Sequence, residues 1–225
     1  MVSPGVARAQ VAASAAIESD FRFRGFSLTD GHPAGTLQLS YDHSSGFYAN
    51  GAASAVARDG GVDFLGYQVN AGFAQRVTPE LSLDAGIVQR WFRYRYDYLG
   101  YPYSSDATYP EAYVGAGVRN FSARVYYSPH YFREDASTLY GEIEVGLEPV
   151  PGLRLAGHVG GLAYLTVPDA PFFDGRSMLD WRISASKQLG RFEVHTAVSG
   201  GAPETYHRAL GENGTALTVG ASVNF

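Results

Sequence analysis

Apolar residues alternate with polar or small ones along the last nine positions of the chain. The apolar positions are Leu217, Val219, Ala221, Val223 and Phe225. Threonine, glycine, serine and asparagine occupy the positions between them. Because successive side chains of an extended strand point to opposite faces, this pattern predicts a strand with one apolar and one polar face.

The same two-residue period recurs in about twelve segments, and short turns join them in pairs. Turn-type residues occupy positions 43–45, 78–80, 119–120, 149–151 and 190–191. Each turn lies between two apolar residues: Tyr41 and Phe47, Val77 and Leu81, Val118 and Phe121, Leu147 and Leu153, and Leu189 and Phe192. Both members of such a pair must share a face in an antiparallel hairpin, and these loop lengths satisfy that requirement. The turns therefore predict antiparallel hairpins with a continuous apolar face.

The other connections are predicted to be long, over residues 20–32, 58–62, 95–108, 130–137, 168–176 and 201–214. Short turns at one end, long loops at the other and both termini on the short-turn side are typical of bacterial outer-membrane barrels. A final alternating strand that ends on an aromatic residue, here Phe225, is also typical of them. We therefore predict an all-β fold, a transmembrane antiparallel up-and-down β-barrel with short periplasmic turns and long extracellular loops. It should have about twelve strands, with ten or fourteen as alternatives.

The two faces of the predicted strands differ in chemistry. The apolar face, which would contact lipid, contains Val11, Ala13, Ala15, Ile17, Val69, Ala71, Phe73, Val114, Ala116, Ile143, Val145, Trp181, Ile183, Val194 and Val198. The candidate pore-lining residues on the other face, or at its rim, are Glu18, Arg22, Arg24, Asp84, Glu111, Arg124, Glu142, Glu144, Arg154, His158, Asp180, Arg182, Glu193 and His195. A soluble sandwich or lipocalin would bury its apolar face instead. A soluble barrel of this kind has eight strands, fewer than the twelve predicted here. The charged residues on the polar face are also more numerous than the few polar groups of a typical ligand cavity.

Composition agrees with alternation rather than with apolar runs. The mean hydropathy is −0.13 although aromatic residues make up 14% of the chain, and no apolar stretch is long enough for a transmembrane helix. The 27 glycines disfavour long helices, and the absence of cysteine fits an oxidising periplasmic route. A net charge of −5 without a basic run argues against nucleic acid as a partner.

The first nine residues are expected to be the remnant of a signal peptide or a disordered N-terminus. Ala7-Arg8-Ala9 has the small-x-small form of a signal-peptidase site, although the charged and apolar regions that precede such a site are missing. An accidental similarity is the alternative. Residues 10–225 are expected to form a single outer-membrane β-barrel domain.

The segment that follows the first predicted strand resembles a known family. It contains the run Ser19-Asp20-Phe21-Arg22-Phe23-Arg24-Gly25, then Asp30-Gly31, Pro33 and Gly46-Phe47-Tyr48-Ala49. A weaker match covers Asp180-Trp181 and Ser186-Lys187-Gln188-Leu189-Gly190. These stretches resemble the proteobacterial Gcw_chp family, also called the TorF-family porins, and they cover about a quarter of the chain directly. The resemblance implies an outer-membrane protein taken to be a porin, and it implies no substrate and no catalytic residues.

Arg22 and Arg24 are two positions apart, so on an extended strand both would point to one side. They would then form a cationic ring at the pore mouth, or pair with Asp20, Glu18 or acids of neighbouring strands and fix the rim.

Acidic and basic residues also face each other across the predicted lumen. Glu142 and Glu144 lie on the eighth strand beside Arg154 and His158 on the ninth. The tenth and eleventh strands carry Asp180 with Arg182 and Glu193 with His195. Opposed charges either set a transverse field that filters ions or neutralise one another and close the barrel, and the sequence leaves both open.

The sequence gives little support for a metal site, a cofactor site or an enzyme active site. The six histidines lack the short spacing of a metal site, and no cofactor motif is present. A hydrolase site from Ser184 or Ser199 with His195 and Glu193 lacks a nucleophile motif, so we expect no enzyme. The dense aromatic run 91–103 is expected to be an interfacial girdle that continues into a protruding hairpin, with glycan or ligand contact as the alternative.

The sequence thus predicts a narrow channel for small hydrophilic solutes or ions in the bacterial outer membrane. Inward glycines and alanines such as Gly72, Gly86 and Gly160 are expected to leave space around the charges. The alternative is a non-conducting barrel with a structural or surface-binding role. The expected partners are outer-membrane lipid and lipopolysaccharide, the solutes, and the barrel assembly machinery during biogenesis. The sequence leaves the oligomeric state undetermined.

Overall fold

The structure is a computed structural model that describes residues 10–98, 101–166, 177–201 and 214–225. The described residues form fourteen strands. Their bounds are β1 Gln10–Glu18, β2 Arg22–Phe23, β3 Phe26–Ser27, β4 Ala34–Asp42, β5 Phe47–Arg58, β6 Gly61–Arg76, β7 Leu81–Tyr98, β8 Tyr101–Val118, β9 Phe121–Ser128, β10 Thr138–Val150, β11 Leu153–Tyr164, β12 Ser177–Leu189, β13 Phe192–Gly201 and β14 Ala216–Asn224. Within these ranges, no helix has the length and apolar character needed to cross a membrane.

Twelve of these strands close into one antiparallel barrel, as predicted. Each strand from β4 to β14 pairs with its neighbour in sequence, and β1 closes the ring between β14 and β4. In the closing pair, Ser14 lies opposite Asn224 and Glu18 opposite Gly220. The backbone N–H of Phe225 donates to the carbonyl of Ala13 at 2.9 Å. Closure leaves the ring without an unpaired strand edge. In lipid this is required, because no water is present to hydrogen-bond free backbone groups.

The alternation of side chains gives the barrel an apolar outer wall. The outward-facing Ile183 is 66% exposed, whereas the inward-facing Asp180 on the same strand is 5% exposed. The apolar pairs beside the short turns lie where the parity argument placed them, with Val118 opposite Phe121 and Leu189 opposite Phe192. We call the end that carries these short turns the turn end, and the opposite end the loop end.

Two predicted long loops are wrong. The connection at 58–62 is a two-residue turn at 59–60, because β5 continues to Arg58 and β6 begins at Gly61. The stretch 95–108 is for the most part a hairpin of two 18-residue strands, β7 and β8, and residues 99–100 between them lie outside the described part. Polar residues interleaved with aromatic ones extend the alternation beyond the membrane thickness there, which agrees with the predicted protruding hairpin.

Two connections at the loop end fold into the barrel. Strands β2 and β3 form a separate two-stranded sheet within segment 19–33, and we call this whole segment the lumen hairpin. Its residues Phe21, Phe23, Phe26 and Leu28 pack with Phe92 and with Tyr131 and Phe132 of segment 129–137 in one apolar cluster. The loop-end half of the lumen therefore contains an apolar core, where the sequence predicted a polar interior.

Candidate functional site

The lumen hairpin is a compact unit held by its own side chains. Asp20 accepts hydrogen bonds from the hydroxyls of Ser27 at 2.5 Å and Thr29 at 2.8 Å. It also forms an ion pair with Arg22 at 3.1 Å. Arg24 and Gly25 form the tip, with φ values of +47° and +83°, so the chain turns there and is not extended. The prediction that Arg22 and Arg24 share one side of a strand is therefore wrong.

The tip of the hairpin is anchored to one wall of the barrel by Arg24. Its Nη2 donates to both carboxylate oxygens of Glu111 on β8, at 2.8 and 3.1 Å. Its guanidinium lies 3.8 Å from the ring centroid of Tyr140. Arg90 on β7 donates to the same carboxylate and, through Nε, to Gln68 at 2.7 Å. Arg24 is thus fixed inside the lumen rather than at the rim, and Glu111 lies beneath two arginines with 1% exposure.

Gly25 meets the opposite wall. A Cβ at this position would lie 2.9 Å from the Cβ of Asp180 on β12 and 3.0 Å from the Cα of Gly201 on β13. Only glycine fits this gap, and its positive φ is also natural for glycine. Since β8 and β13 lie on nearly opposite sides of the twelve-stranded ring, the hairpin crosses the lumen.

A cavity of about 1130 Å³ extends from the turn end to the tip of the hairpin. Pro79, Glu80, Arg119 and Asn120 line its turn end, and Phe23, Arg24 and Gly25 line its other end. Eleven of the predicted pore-lining residues face it: Glu18, Arg22, Arg24, Glu142, Glu144, Arg154, His158, Asp180, Arg182, Glu193 and His195. The structure therefore brings these residues, from six separate segments of the chain, together in one cavity.

Four of the acids and bases in this cavity form a connected group around His158. Its Nε2 lies 2.8 Å from Asp180 Oδ1, and its Nδ1 lies 3.5 Å from Glu144 Oε1. Arg182 Nη2 lies 3.5 Å from the same Glu144 oxygen. Tyr140 donates to Asp180 at 3.1 Å. This group spans β10, β11 and β12, so contacts between acids and bases link three neighbouring strands along one wall of the cavity.

The other predicted pairs are arranged differently. Glu142 accepts a hydrogen bond at 2.9 Å from the hydroxyl of Tyr126, and in the described residues it has no bond to Arg154. His195 lies 3.5 Å from Glu18 on β1. In the described part of the chain, neither Ser184 nor Ser199 donates to His195. No group of three His, Cys, Asp or Glu residues within the described ranges has the geometry of a metal site.

Asp84, Arg124 and Glu111 lie away from the main cavity. Arg124 donates from Nε to Asp84 at 3.0 Å. Tyr48 donates to the same carboxylate at 3.3 Å and bonds the hydroxyl of Tyr113. Arg124 also lines a second, smaller cavity that is described below. Glu111 lines no open space in the lumen because Arg24 and Arg90 cover it.

Tyrosines are the lumen residues that the sequence analysis missed. Tyr48, Tyr113 and Tyr140 lie over inward glycines on adjacent strands: a Cβ at Gly72, Gly86 or Gly160 would lie under 3.0 Å from Tyr48, Tyr113 or Tyr140 respectively. The prediction that these glycines leave space around the charges is therefore wrong, because the rings fill it. The tyrosines share the inward parity of the charged residues, and that parity was the signal that could have identified them.

A closed antiparallel barrel with an apolar outer wall and a charged lumen is a transmembrane β-barrel. The model of the family described as "Bacterial protein of unknown function (Gcw_chp)" matches residues 4–208. The chain belongs to this family, as the resemblance indicated.

Solved structures with the same architecture share little sequence with this chain. The KdgM porin is 12% identical with a TM-score of 0.55, and the match covers 95% of this chain and 99% of KdgM. The NanC porin is 10% identical with a TM-score of 0.64, covering 96% and 99%. The translocator domain of the autotransporter NalP from Neisseria meningitidis is 11% identical with a TM-score of 0.52, covering 99% and 90%. No curated protein matches the chain. At these identities the similarity establishes the fold.

Proposed function

We propose that the protein is a narrow outer-membrane channel for small hydrophilic solutes or ions. The observation that carries this proposal is the charged cavity of about 1130 Å³ inside a closed barrel whose outer wall is apolar. Barrels of about eight strands are filled by side chains and those of sixteen or more hold an aqueous channel, so twelve strands leave intermediate room. Since the lumen hairpin crosses the lumen at one end of this cavity, we place the narrowest part of the path there.

The apolar outer wall of the barrel also supports a location in the outer membrane. Exposed apolar residues, among them Leu37, Ile87 and Leu217, cover the outside of the barrel and need lipid as their surroundings. In bacteria, barrels of this type with an even number of strands belong to the outer membrane. We therefore propose outer-membrane lipid and lipopolysaccharide as its surroundings and the barrel assembly machinery as its partner in biogenesis. The proposal assigns it no catalytic activity.

The structural neighbours suggest which solutes to test first. A further structure of the KdgM porin is described as a complex with disordered oligogalacturonate; that chain is 13% identical to this one with a TM-score of 0.55, and the match covers 95% of this chain and 99% of that one. We take small polar saccharides, neutral and acidic, as the first candidates for this barrel.

One observation favours a second candidate function, a non-conducting barrel with a structural or surface-binding role. Phe23 of the lumen hairpin packs on Phe92 of β7, and Phe132 of segment 129–137 packs on Tyr109 of β8, so both segments belong to one apolar cluster. If this packing persists in the membrane, the loop end is closed to solutes.

Single-channel recording in a planar lipid bilayer distinguishes the two. The protein would be refolded in detergent, and its folded state would be checked by heat-modifiable electrophoretic mobility. Discrete conductance steps from the folded barrel support the channel. A barrel that is folded, inserted and electrically silent supports the second candidate and contradicts the first.

A further inference from the structure

A second cavity of about 330 Å³ lies inside the barrel on the wall formed by β4 to β9. Its volume is at the lower end of the range for small-molecule sites, roughly 300–1,000 Å³. Gln38, Asn50, Gln68 and Asn70 line it together with Tyr48 and Arg124. We call it the amide pocket. A cavity of this size has room for a ligand of about one sugar ring.

The amides of the pocket are placed side by side by the strand register. Asn50 on β5 lies directly opposite Asn70 on β6. In the next inward row, Ala52 lies between Gln38 and Gln68. Because alanine is short, the two glutamine side chains border an open space rather than a filled one. Three adjacent strands thus present amides to one cavity.

Three of these amides are free to bind a ligand. Gln68 accepts a hydrogen bond from Arg90 at 2.7 Å. Gln38, Asn50 and Asn70 make no side-chain hydrogen bond within the described residues. Each free amide offers two N–H donors and a carbonyl acceptor. A set of donors and acceptors on one wall matches the hydroxyl groups of a sugar, each of which both donates and accepts.

The charge of the amide pocket differs from that of the main cavity. No carboxylate is among its lining residues, whereas Arg90 and Arg124 are. Arg90 is buried against Glu111, but the side chain of Arg124 is 39% exposed beside Asp84, which is 14% exposed. A guanidinium has five N–H donors, so Arg124 retains donors after binding Asp84. The pocket therefore offers an accessible positive group next to neutral hydrogen-bonding groups.

We propose that the amide pocket binds a small sugar acid, a polyhydroxylated ring of monosaccharide size that carries a carboxylate. The amides of Gln38, Asn50 and Asn70 bind its hydroxyls, and Arg124 binds its carboxylate. The main cavity, lined by Glu142, Glu144 and Asp180 among other acids, does not offer this combination. The inference deepens the proposed channel function, since it names a solute class and places its binding site in the lumen.

The test is isothermal titration calorimetry of the folded barrel in detergent, with D-glucuronate and D-glucose as probes. The wild-type barrel should bind glucuronate more tightly than glucose. The double variant N50A/N70A should lose about tenfold or more in affinity for both sugars, since it removes hydroxyl contacts. R124Q should weaken glucuronate to the level of glucose and leave glucose unchanged, and R124K, which keeps the charge, should retain part of the preference.

The matched control is S186A, which removes a hydroxyl from the main cavity and should leave both affinities unchanged. No glucuronate binding by the folded wild-type barrel, or equal losses in S186A and N50A/N70A, would overturn the site. Because binding in detergent does not require conduction, the two proposals fail separately. If the folded barrel binds glucuronate but shows no conductance, the channel proposal fails and the binding site stands. If it conducts but does not bind glucuronate, the binding site fails and the channel proposal stands.

Discussion

The two halves of the lumen are filled in different ways. At the turn end, the strands alone form the wall, and opposed charges around His158 border a cavity of about 1130 Å³. At the loop end, segments 19–33 and 129–137 fold inward and build an apolar core against Phe92 and Tyr109. The same strands run through both halves, so the difference arises from the connections. The strand pattern determines the barrel, and the segments that connect the strands determine which part of its lumen is open.

The charges at the hairpin tip are more deeply buried than several of those in the turn-end half. Arg24, Arg90 and Glu111 at the hairpin tip are all nearly inaccessible to solvent. Glu144 and Arg182 in the turn-end half keep 41% and 52% of their side-chain surface. Buried charges depend on their partners far more than exposed ones, because water cannot replace a lost partner. Matched substitutions in the two halves should therefore have unequal effects.

The largest effect is expected for Glu111→Gln. This change leaves Arg24 and Arg90 buried without a counter-charge and should lower the free energy of unfolding by about 3–5 kcal/mol. Glu193→Gln at the turn end is the matched control and should cost less than about 1 kcal/mol. Urea unfolding in lipid vesicles measures both. Equal costs would mean that the hairpin tip is solvated and that the contrast between the halves is wrong.

A slightly smaller effect is expected when the outer wall is compared with the inner wall of one strand. Ile183→Arg puts a charge on the lipid face in mid-strand and should cost roughly 2–4 kcal/mol. Ser184→Arg, one residue along, places the same side chain in the charged cavity and should cost much less. The same vesicle unfolding assay compares them. Similar losses at both positions would show that both faces are packed, which a membrane barrel does not allow.

Arg24→Ala tests whether the loop-end half limits passage. It removes the anchor of the hairpin but leaves Arg90 paired with Glu111, so the barrel should fold with a loss of about 1.5–3 kcal/mol. Single-channel conductance should rise, because the hairpin is no longer held across the lumen. Arg154→Ala, on the wall of the turn-end cavity, should change conductance little. An unchanged conductance in a folded Arg24→Ala barrel would show that the hairpin does not limit the path.

The fold was predictable from sequence because it depends on local order. A period of two residues and the parity of short turns determine which face of each strand is apolar, and neighbouring strands then pair in chain order. The tip contact between Arg24 and Glu111 joins residues 87 positions apart. No periodicity relates such residues, and the positive φ at Arg24 breaks the strand pattern that the analysis extended through it. Long-range contacts of irregular segments were therefore missed.

The inward glycines also show that the strand pattern does not predict contacts between side chains of different strands. The two-residue period placed Gly72, Gly86 and Gly160 on the lumen face correctly, but it did not indicate what lies over them. Tyr48 and Tyr113 lie directly opposite Gly72 and Gly86, and Tyr140 lies diagonally across from Gly160, so in each case a ring on the adjacent strand covers a neighbour that lacks a side chain. The face to which a side chain points follows from the alternation along its own strand. The side chains that lie beside it depend on the register between two strands.

The smallest effect is expected when alanine replaces two different glycines, one that lies under a tyrosine ring and one that does not. This comparison tests the packing of tyrosines over inward glycines. Gly86→Ala places a methyl group 2.5 Å from the backbone carbonyl oxygen of Ala71, 2.6 Å from the Tyr113 hydroxyl and 2.8 Å from its ring carbon Cζ, so both the strand and the ring must move. Overpacking of this kind costs about 1–3 kcal/mol. At Gly141 nothing lies within 4 Å of the added methyl group, and alanine there should be neutral or stabilise by up to about 1 kcal/mol through the unfolded chain. Thermal unfolding monitored by heat-modifiable mobility would resolve the two. A neutral Gly86→Ala would mean that the β6 backbone at Ala71 and the Tyr113 ring both move away freely, and the lumen would then have the open space that the sequence predicted.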